Sequence, residues 1–357
     1  MYITTLPPLS PLHRTSHFDG VNIAKQLPGH ALFFKRGRQA LMAGIAHLEL
    51  KPGSTVMIPS NICREVLVPF ILNGIRVRYY RLMPDTRIDM DDLASKIDET
   101  VSAVYIYHYL GMPCANIVDA VSLLKTRNIP VIEDCAHGFL GTLNGQKLGS
   151  FGDIAIFSLW KFMPVPDGGA LIINDTTDTQ QSRLLPTRSG YADAIKSWIK
   201  GRLKSLPPFR HSDFPDVDDN IGNIGPIEPK PISRLSLAVL DHADYNAIRN
   251  ERVENYAFWH EALPDFMTPY FNETPVGFCP YAFPFRVHNR EIQRNLYTGM
   301  AKRGIMLEPP INPDFTGHTL IDVATWPKNP DCDLVLCLPV YQGLTPAQKR
   351  YILSSLI

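Results

Sequence analysis

The sequence predicts an α/β fold built on a mainly parallel, doubly wound sheet, followed by a smaller α+β C-terminal unit. Two observations predict it. From residue 33 to about residue 175, short β-branched and aromatic runs alternate with longer amphipathic ones. Beyond residue 231 the alternation gives way to long helical stretches and isolated strands. A chain of 357 residues, 45% hydrophobic and 20% charged, is long enough for a core in two parts.

The elements follow in order. Residues 38–50 read as a helix opened by Gly37, and Thr55–Pro59 (TVMIP) as a strand. A PSN turn leads into a helix over 64–72, and the runs 76–82 and 103–108 (AVYIYH) are strands. Residues 117–127 (IVDAVSLLKTR) place apolar side chains at helical spacing. The runs 130–133 (PVIE), 154–158 and 170–173 complete the sheet. Residues 234–263 predict one or two helices bridging to the C-terminal unit, where 281–287 (YAFPFRV) and 334–339 (LVLCLP) read as strands and 291–303 and 345–357 as helices. This divides the chain into an N-terminal segment (1–30), a large unit (31–240) and a small one (241–357), with 206–231 an irregular arm or lid. Residues 198–206 (WIKGRLKSL) are basic and amphipathic; a solvated surface helix is preferred over an interfacial one.

Composition narrows the function classes. Lys plus Arg equals Asp plus Glu at 35 each, so no net field recruits nucleic acid or an anionic membrane, and any anion must be held by local geometry. No apolar stretch approaches the roughly 20 residues that span a bilayer. The N-terminus is proline-rich without the pattern of a signal peptide, which makes a cytoplasmic location the default expectation. The six cysteines include no Cys-x-x-Cys pair, against a zinc site and a disulfide framework alike, and free thiols are expected.

The sharpest local feature is PVIEDCAHG, where a hydrophobic strand delivers Glu133 and Asp134 to the carboxyl edge of the sheet. Asp134 either caps a helix or pairs with a buried cation such as a protonated pyridine nitrogen. Further on, SFGDIAIFSLWKFMPVPDGGALIIND puts Ser158 and Lys161 on one turn. Lys161, among Trp160, Phe162 and Met163, either snorkels or serves as a desolvated amine for an aldehyde. Upstream, Arg36-Gly37-Arg38-Gln39 opens a helix whose N–H groups, with an arginine, suit a phosphate if Ser158 converges there.

Taken in order, these motifs resemble the DegT/StrS-type sugar aminotransferases, a branch of the fold-type-I pyridoxal-phosphate enzymes. The glycine turn at Gly37, Arg38 and Gln39 matches the family's phosphate-binding turn, and Asp134 its partner of the pyridine nitrogen. His137 falls where the family places glutamine or histidine against the cofactor's phenolic oxygen. Gly145 to Ser158 matches G-x-x-x-G-S-F-G-D-I-x-x-F-S, with Ser158 in the phosphate-binding place and Lys161 as the Schiff-base lysine. YHYLG (107–111) and LPVYQGLT (338–345) resemble the His-x-x-Gly step and the closing motif. Three departures stand out: the loop from Ser158 to Gly168 is shorter than usual, Cys63 occupies the place of an aromatic ring-stacking residue, and Ile232 replaces an asparagine that reaches the partner subunit's phosphate.

The resemblance implies a fold-type-I sheet of the seven-stranded type with pyridoxal 5′-phosphate as cofactor. It implies amino transfer from a glutamate-like donor to a keto-sugar, nucleotide-linked, in a homodimer that binds neither nucleic acid nor membrane. Two alternatives remain: a pyridoxamine-phosphate-dependent sugar dehydratase, in which related proteins carry histidine for the lysine, and a non-catalytic binding or regulatory protein on the same fold. The set Asp134, Ser158 and Lys161 keeps the aminotransferase ahead. His108 is read as a core histidine bonded to backbone rather than a substrate contact, and Arg286 is left without a role.

Overall fold

The computed structural model describes residues 3–8, 23–174, 226–309, 318–326 and 334–356. The large part alternates β1 (His30–Phe34), α1 (Gly37–His47), β2 (Thr55–Pro59), α2 (Arg64–Leu72), β3 (Arg76–Tyr80), α3 (Met90–Ser95), β4 (Val101–Tyr107), α4 (Ile117–Thr126) and β5 (Val131–Cys135). A two-residue hairpin, β6 (Thr142–Leu143) and β7 (Gln146–Lys147), precedes β8 (Ile154–Phe157) and β9 (Gly169–Ile173). Then come α5 (Arg234–Asp241), α6 (Tyr245–Ala262), β10 (Thr268–Pro269), β11 (Ala282–Arg286), α7 (Arg290–Lys302), β12 (Ile321–Asp322), β13 (Val335–Pro339) and α8 (Pro346–Leu356).

The main sheet runs β1-β9-β8-β5-β4-β2-β3-β12. From β8 to β12 every pairing is parallel, whereas β9 lies antiparallel to both β8 and β1. Strands β2, β5, β8 and β9 are buried along their whole length, as strands covered by helices on both faces must be. Among the described residues the sheet has eight strands rather than a seven-stranded form. The eighth, β12, is only two residues long and joins the edge through Val77 and Arg78, so it leaves no run that a sequence pattern registers. Strand β1 was also missed, because its five residues, HALFF, alternate too briefly to stand out.

The stretch 234–263 is two helices, split where each start is capped. The Ser233 side chain accepts from Ser236 N, and the Asp244 side chain accepts from Ala247 N. A second, three-stranded antiparallel sheet, β10-β11-β13, lies in the C-terminal part. The N-terminal residues are tied to that part as well: Ile3 N donates to Gly304 O at 2.9 Å and Ile3 O accepts from Met306 N at 2.8 Å. The basic segment 198–206 and most of the expected arm, 206–225, lie outside the described residues. Among the described residues no helix is long and apolar enough to cross a membrane, and the five described cysteines are free thiols.

Candidate active site

Parallel strands aim their carboxyl ends at one edge of the sheet, and the connections leaving those ends collect the site. Tyr107 at the end of β4 pairs in register with Asp134 near the end of β5. His137 follows β5, Ser158 and Lys161 follow β8, and Gly37 starts α1. All of them line one cavity of about 640 Å³, which Tyr281, Glu308, Thr5 and Leu6 also line.

Beneath the cavity, Glu133 pins the floor. Its Oε1 accepts from His108 Nε2 at 2.9 Å and Gly149 N at 2.6 Å, and its Oε2 from Phe151 N at 2.8 Å and Gly152 N at 3.0 Å. Burial alone would raise this carboxyl, but the His108 contact and the Gly149 and Gly152 N–H groups outweigh it and hold it below the ordinary glutamate range. His108 Nδ1 accepts from Cys114 N at 3.0 Å, so His108 is the core histidine bonded to backbone. Although His108, Glu133 and Cys135 cluster closely enough for a metal, Glu133 and His108 already use their ligand atoms in these bonds, and the trio is a structural staple.

One layer up is the chemistry. Asp134 Oδ1 accepts from Ala136 N at 2.7 Å. Burial nevertheless pushes the Asp134 carboxyl above its ordinary value, against the pull of Ala136, Tyr105 and Lys161. Such a group is short of positive charge. Lys161 Nζ lies 2.7 Å from His137 Nε2, while the Tyr107 hydroxyl bonds His137 Nδ1. The imidazole stacks on Tyr281 at 3.9 Å and 4°. Burial, then the Lys161 charge, push His137 well below the ordinary histidine range, so its ring is neutral. Gly111 explains the glycine of YHYLG: it has φ +95°, and a Cβ there would stand 2.6 Å from Cys279 O, 2.9 Å from Tyr281 N and 3.0 Å from His137 O.

The opposite end is built for an anion. The first N–H groups of α1, at Gly37 and Arg38, have no intrahelical acceptor by helix geometry. A Cβ on Gly37 would come within 3.6 Å of Ser158 Oγ, so the helix start and the hydroxyl face one another. Arg36 caps this end, its guanidinium 4.6 Å from the centre of the Trp160 ring and its Nη1 buried without a hydrogen-bond partner. Desolvation lowers its pKa, opposed by Asp167.

Of the residues expected from sequence, Gly37, Arg38, Cys63, Asp134, His137, Ser158 and Lys161 line the cavity. Lys161 points inward despite the shortened loop. One expectation needs correction. Gln39 faces away, its Nε2 bonded to Glu228 O at 2.7 Å and its N–H turned back on Arg36 O at 3.0 Å. Arg38 sits at the rim, but its side chain is half exposed and paired with Glu65 at 2.8 Å, leaving Arg36 as the arginine with a nitrogen to spare. Cys63 provides no ring, and burial pushes its thiol up. Sequence reasoning also missed Tyr107, Trp160, Tyr281 and Glu308. Glu308 Oε1 accepts from the Tyr281 hydroxyl at 3.1 Å, and its buried Oε2 has no hydrogen-bond partner. Arg286 lies outside the cavity lining, over the Tyr270 ring at 4.5 Å.

A desolvated carboxylate, a primary amine and an anion cradle with an orphaned guanidinium nitrogen share one cavity. That donor set fits a cationic planar ring bearing an aldehyde and a phosphate, which is the chemistry of pyridoxal 5′-phosphate. Fold and site together define a protein of the fold-type-I pyridoxal-phosphate transferase class. The chain belongs to the DegT/DnrJ/EryC1/StrS aminotransferase family, whose sequence profile matches residues 17–200. It is 28% identical over 158 residues to a GDP-perosamine synthase of Escherichia coli O157:H7, covering 42% of this chain and 41% of that protein. It is also 28% identical over 170 residues to a GDP-4-keto-6-deoxy-D-mannose 3-dehydratase of Yersinia pseudotuberculosis, covering 46% and 42%. The matches thus span less than half the length of these curated relatives. The fold is similar to that of the aminotransferase TlmJ from Streptoalloteichus hindustanus, with a TM-score of 0.67, 18% identity, and 94% and 87% of the two chains covered.

Proposed function

We propose that this protein is a pyridoxal-phosphate-dependent aminotransferase that moves an amino group from a glutamate-like donor to a keto-sugar. The observation that carries this reading is the Lys161 amine, 2.7 Å from His137 in the cavity that also holds Asp134 and Ser158. When bound, the cofactor supplies an aldehyde that captures amines and a ring that stores electrons. The chain's residues do the rest. Asp134 holds positive charge at the ring nitrogen, which relieves its own desolvation. Ser158, the N–H groups of Gly37 and Arg38, and the Arg36 guanidinium grip the phosphate. His137, neutral, presents a ring nitrogen beside the amine, and Lys161 carries the proton to and from the substrate carbon.

Glu308, which lines the cavity beside the Tyr281 hydroxyl, supports a hydroxyl-bearing acceptor, since a carboxylate there offers acceptor oxygens to sugar hydroxyls. Names of similar proteins refer to GDP-, UDP- and dTDP-linked sugars, so the acceptor is proposed as a nucleotide-linked keto-sugar. A homodimer and a cytoplasmic location belong to the same proposal and rest on family alone. The presence of Lys161 in the cavity counts against both the dehydratase and the non-catalytic reading.

The test is a two-step reaction. Glutamate added to the cofactor-loaded protein bleaches the absorbance band near the visible edge, and a nucleotide 4-keto-sugar then restores it with an amino-sugar product seen by mass spectrometry. Bleaching without restoration by any keto-sugar overturns the acceptor assignment; a band unchanged by every amino donor overturns amino transfer itself.

A further inference from the structure

The turn that carries Lys161 is held from behind by a buried cation. Arg252, on α6, has no solvent exposure, and its donors all go to neutral acceptors. Nε donates to Gln342 Oε1 at 3.1 Å. Nη1 donates to the carbonyls of Pro280 and Tyr281 at 3.0 and 3.3 Å, and Nη2 to those of Lys161 and Phe162 at 3.3 Å each. Gln342 closes the ring by donating its Nε2 to Phe162 O at 2.8 Å. The guanidinium also lies 4.4 Å from the centre of the Phe162 ring.

No carboxylate is among these partners. A fully buried guanidinium without a counter-ion is costly, and apolar side chains would fill the same volume with less loss of stability. What the cation achieves is geometric. The carbonyls it gathers belong to the amine-bearing turn on one side and, on the other, to Tyr281, the ring on which His137 stacks. One planar fork therefore fixes two walls of the cavity relative to each other, drawing on α6 and on the closing motif LPVYQGLT.

We propose that Arg252 and Gln342 are positioning residues that hold Lys161 where its amine meets the cofactor aldehyde. The inference rests on the function proposed above. Misplacing a reacting group by about 1 Å has large consequences for reaction while leaving binding of the same molecule nearly intact.

The experiment compares wild type, Arg252→Lys and Gln342→Met, each checked for folding by circular dichroism. Affinity is measured for pyridoxal phosphate, which links to the lysine, and for pyridoxamine phosphate, which does not. The expected result is a loss of about tenfold or more for pyridoxal phosphate, with pyridoxamine phosphate nearly unchanged. A second readout uses the unloaded protein: acylation of Lys161 by a small amine-reactive activated ester, which releases its alcohol as the amide forms, read by peptide mass spectrometry against exposed Lys51, becomes faster in both variants. Equal weakening of the two cofactor forms, or no change in either, overturns the proposal and leaves Arg252 a core residue. Should Arg252→Lys fail to fold, Gln342→Met decides. If wild type binds neither cofactor form, the functional reading fails, and the labelling ratio alone decides the positioning claim: an unchanged ratio overturns it.

Discussion

At the scale of single residues, the site is defined by what burial does to charge. His137 is fully enclosed and neutral because desolvation and the nearby Lys161 oppose its protonation. With the native pKa depressed, the unfolded chain takes up a proton below about pH 6.5 that the folded protein refuses. Stability from this residue is therefore complete above about pH 6.5 and falls as the pH drops, by up to roughly 1.4 kcal/mol per pH unit. Urea titrations of wild type and His137→Gln across this range are expected to diverge downward on the acid side; parallel curves would contradict the neutral-imidazole assignment. The two arginines at the helix start give a second prediction. Arg36→Met weakens pyridoxal-phosphate binding by about tenfold or more, since it removes the guanidinium with a free buried nitrogen. Arg38→Met, which breaks a surface ion pair, changes affinity little. A reversed order of effects would place the phosphate elsewhere.

Among elements, the end of β5 does the most. Two neighbouring acids face opposite tasks there: Glu133 is bonded by His108, Cys135 and three backbone N–H groups, and Asp134 lines the cavity. Glu133→Ala strands buried N–H groups of the loop carrying Gly149 and Gly152 and is expected to destabilise by about 3–5 kcal/mol, measured by chemical unfolding. A loss under about 1 kcal/mol would show that the loop holds itself. The elements also explain what was legible in sequence. Asp134 stands near the end of a hydrophobic strand, and His137, Ser158 and Lys161 each follow one within a contiguous motif, so strand direction alone sends them to one edge. Gln39 was misplaced because the first turn of a helix shows its N–H groups and its side chains to different neighbours, and a motif cannot say which side chain faces in. The two-residue β12 has no pattern to find.

For the molecule as a whole, Tyr281, Glu308, Arg252 and Gln342 escape the sequence because they are brought in across long chain separations, whereas Tyr107 and Trp160 lie within the motifs themselves. Tyr281 and Glu308 enter the cavity from the C-terminal part, and Arg252 and Gln342 support it from behind. Their roles come from contacts between segments far apart in the chain, which no local spacing encodes. Arg36 differs: it adjoins the predicted turn, and only its unpartnered nitrogen separates it from Arg38. The large part thus supplies Asp134, His137, Ser158 and Lys161, and the C-terminal part adds Tyr281 and Glu308 to the lining.

The central claim is that Lys161 is the amine to which the cofactor aldehyde joins. The most direct measurement is borohydride reduction of the pyridoxal-phosphate-loaded protein followed by peptide mass mapping. The account predicts a single stable adduct on the peptide containing Lys161, absent from Lys161→Ala. An adduct on another lysine, or cofactor retained with no adduct at all, would contradict it.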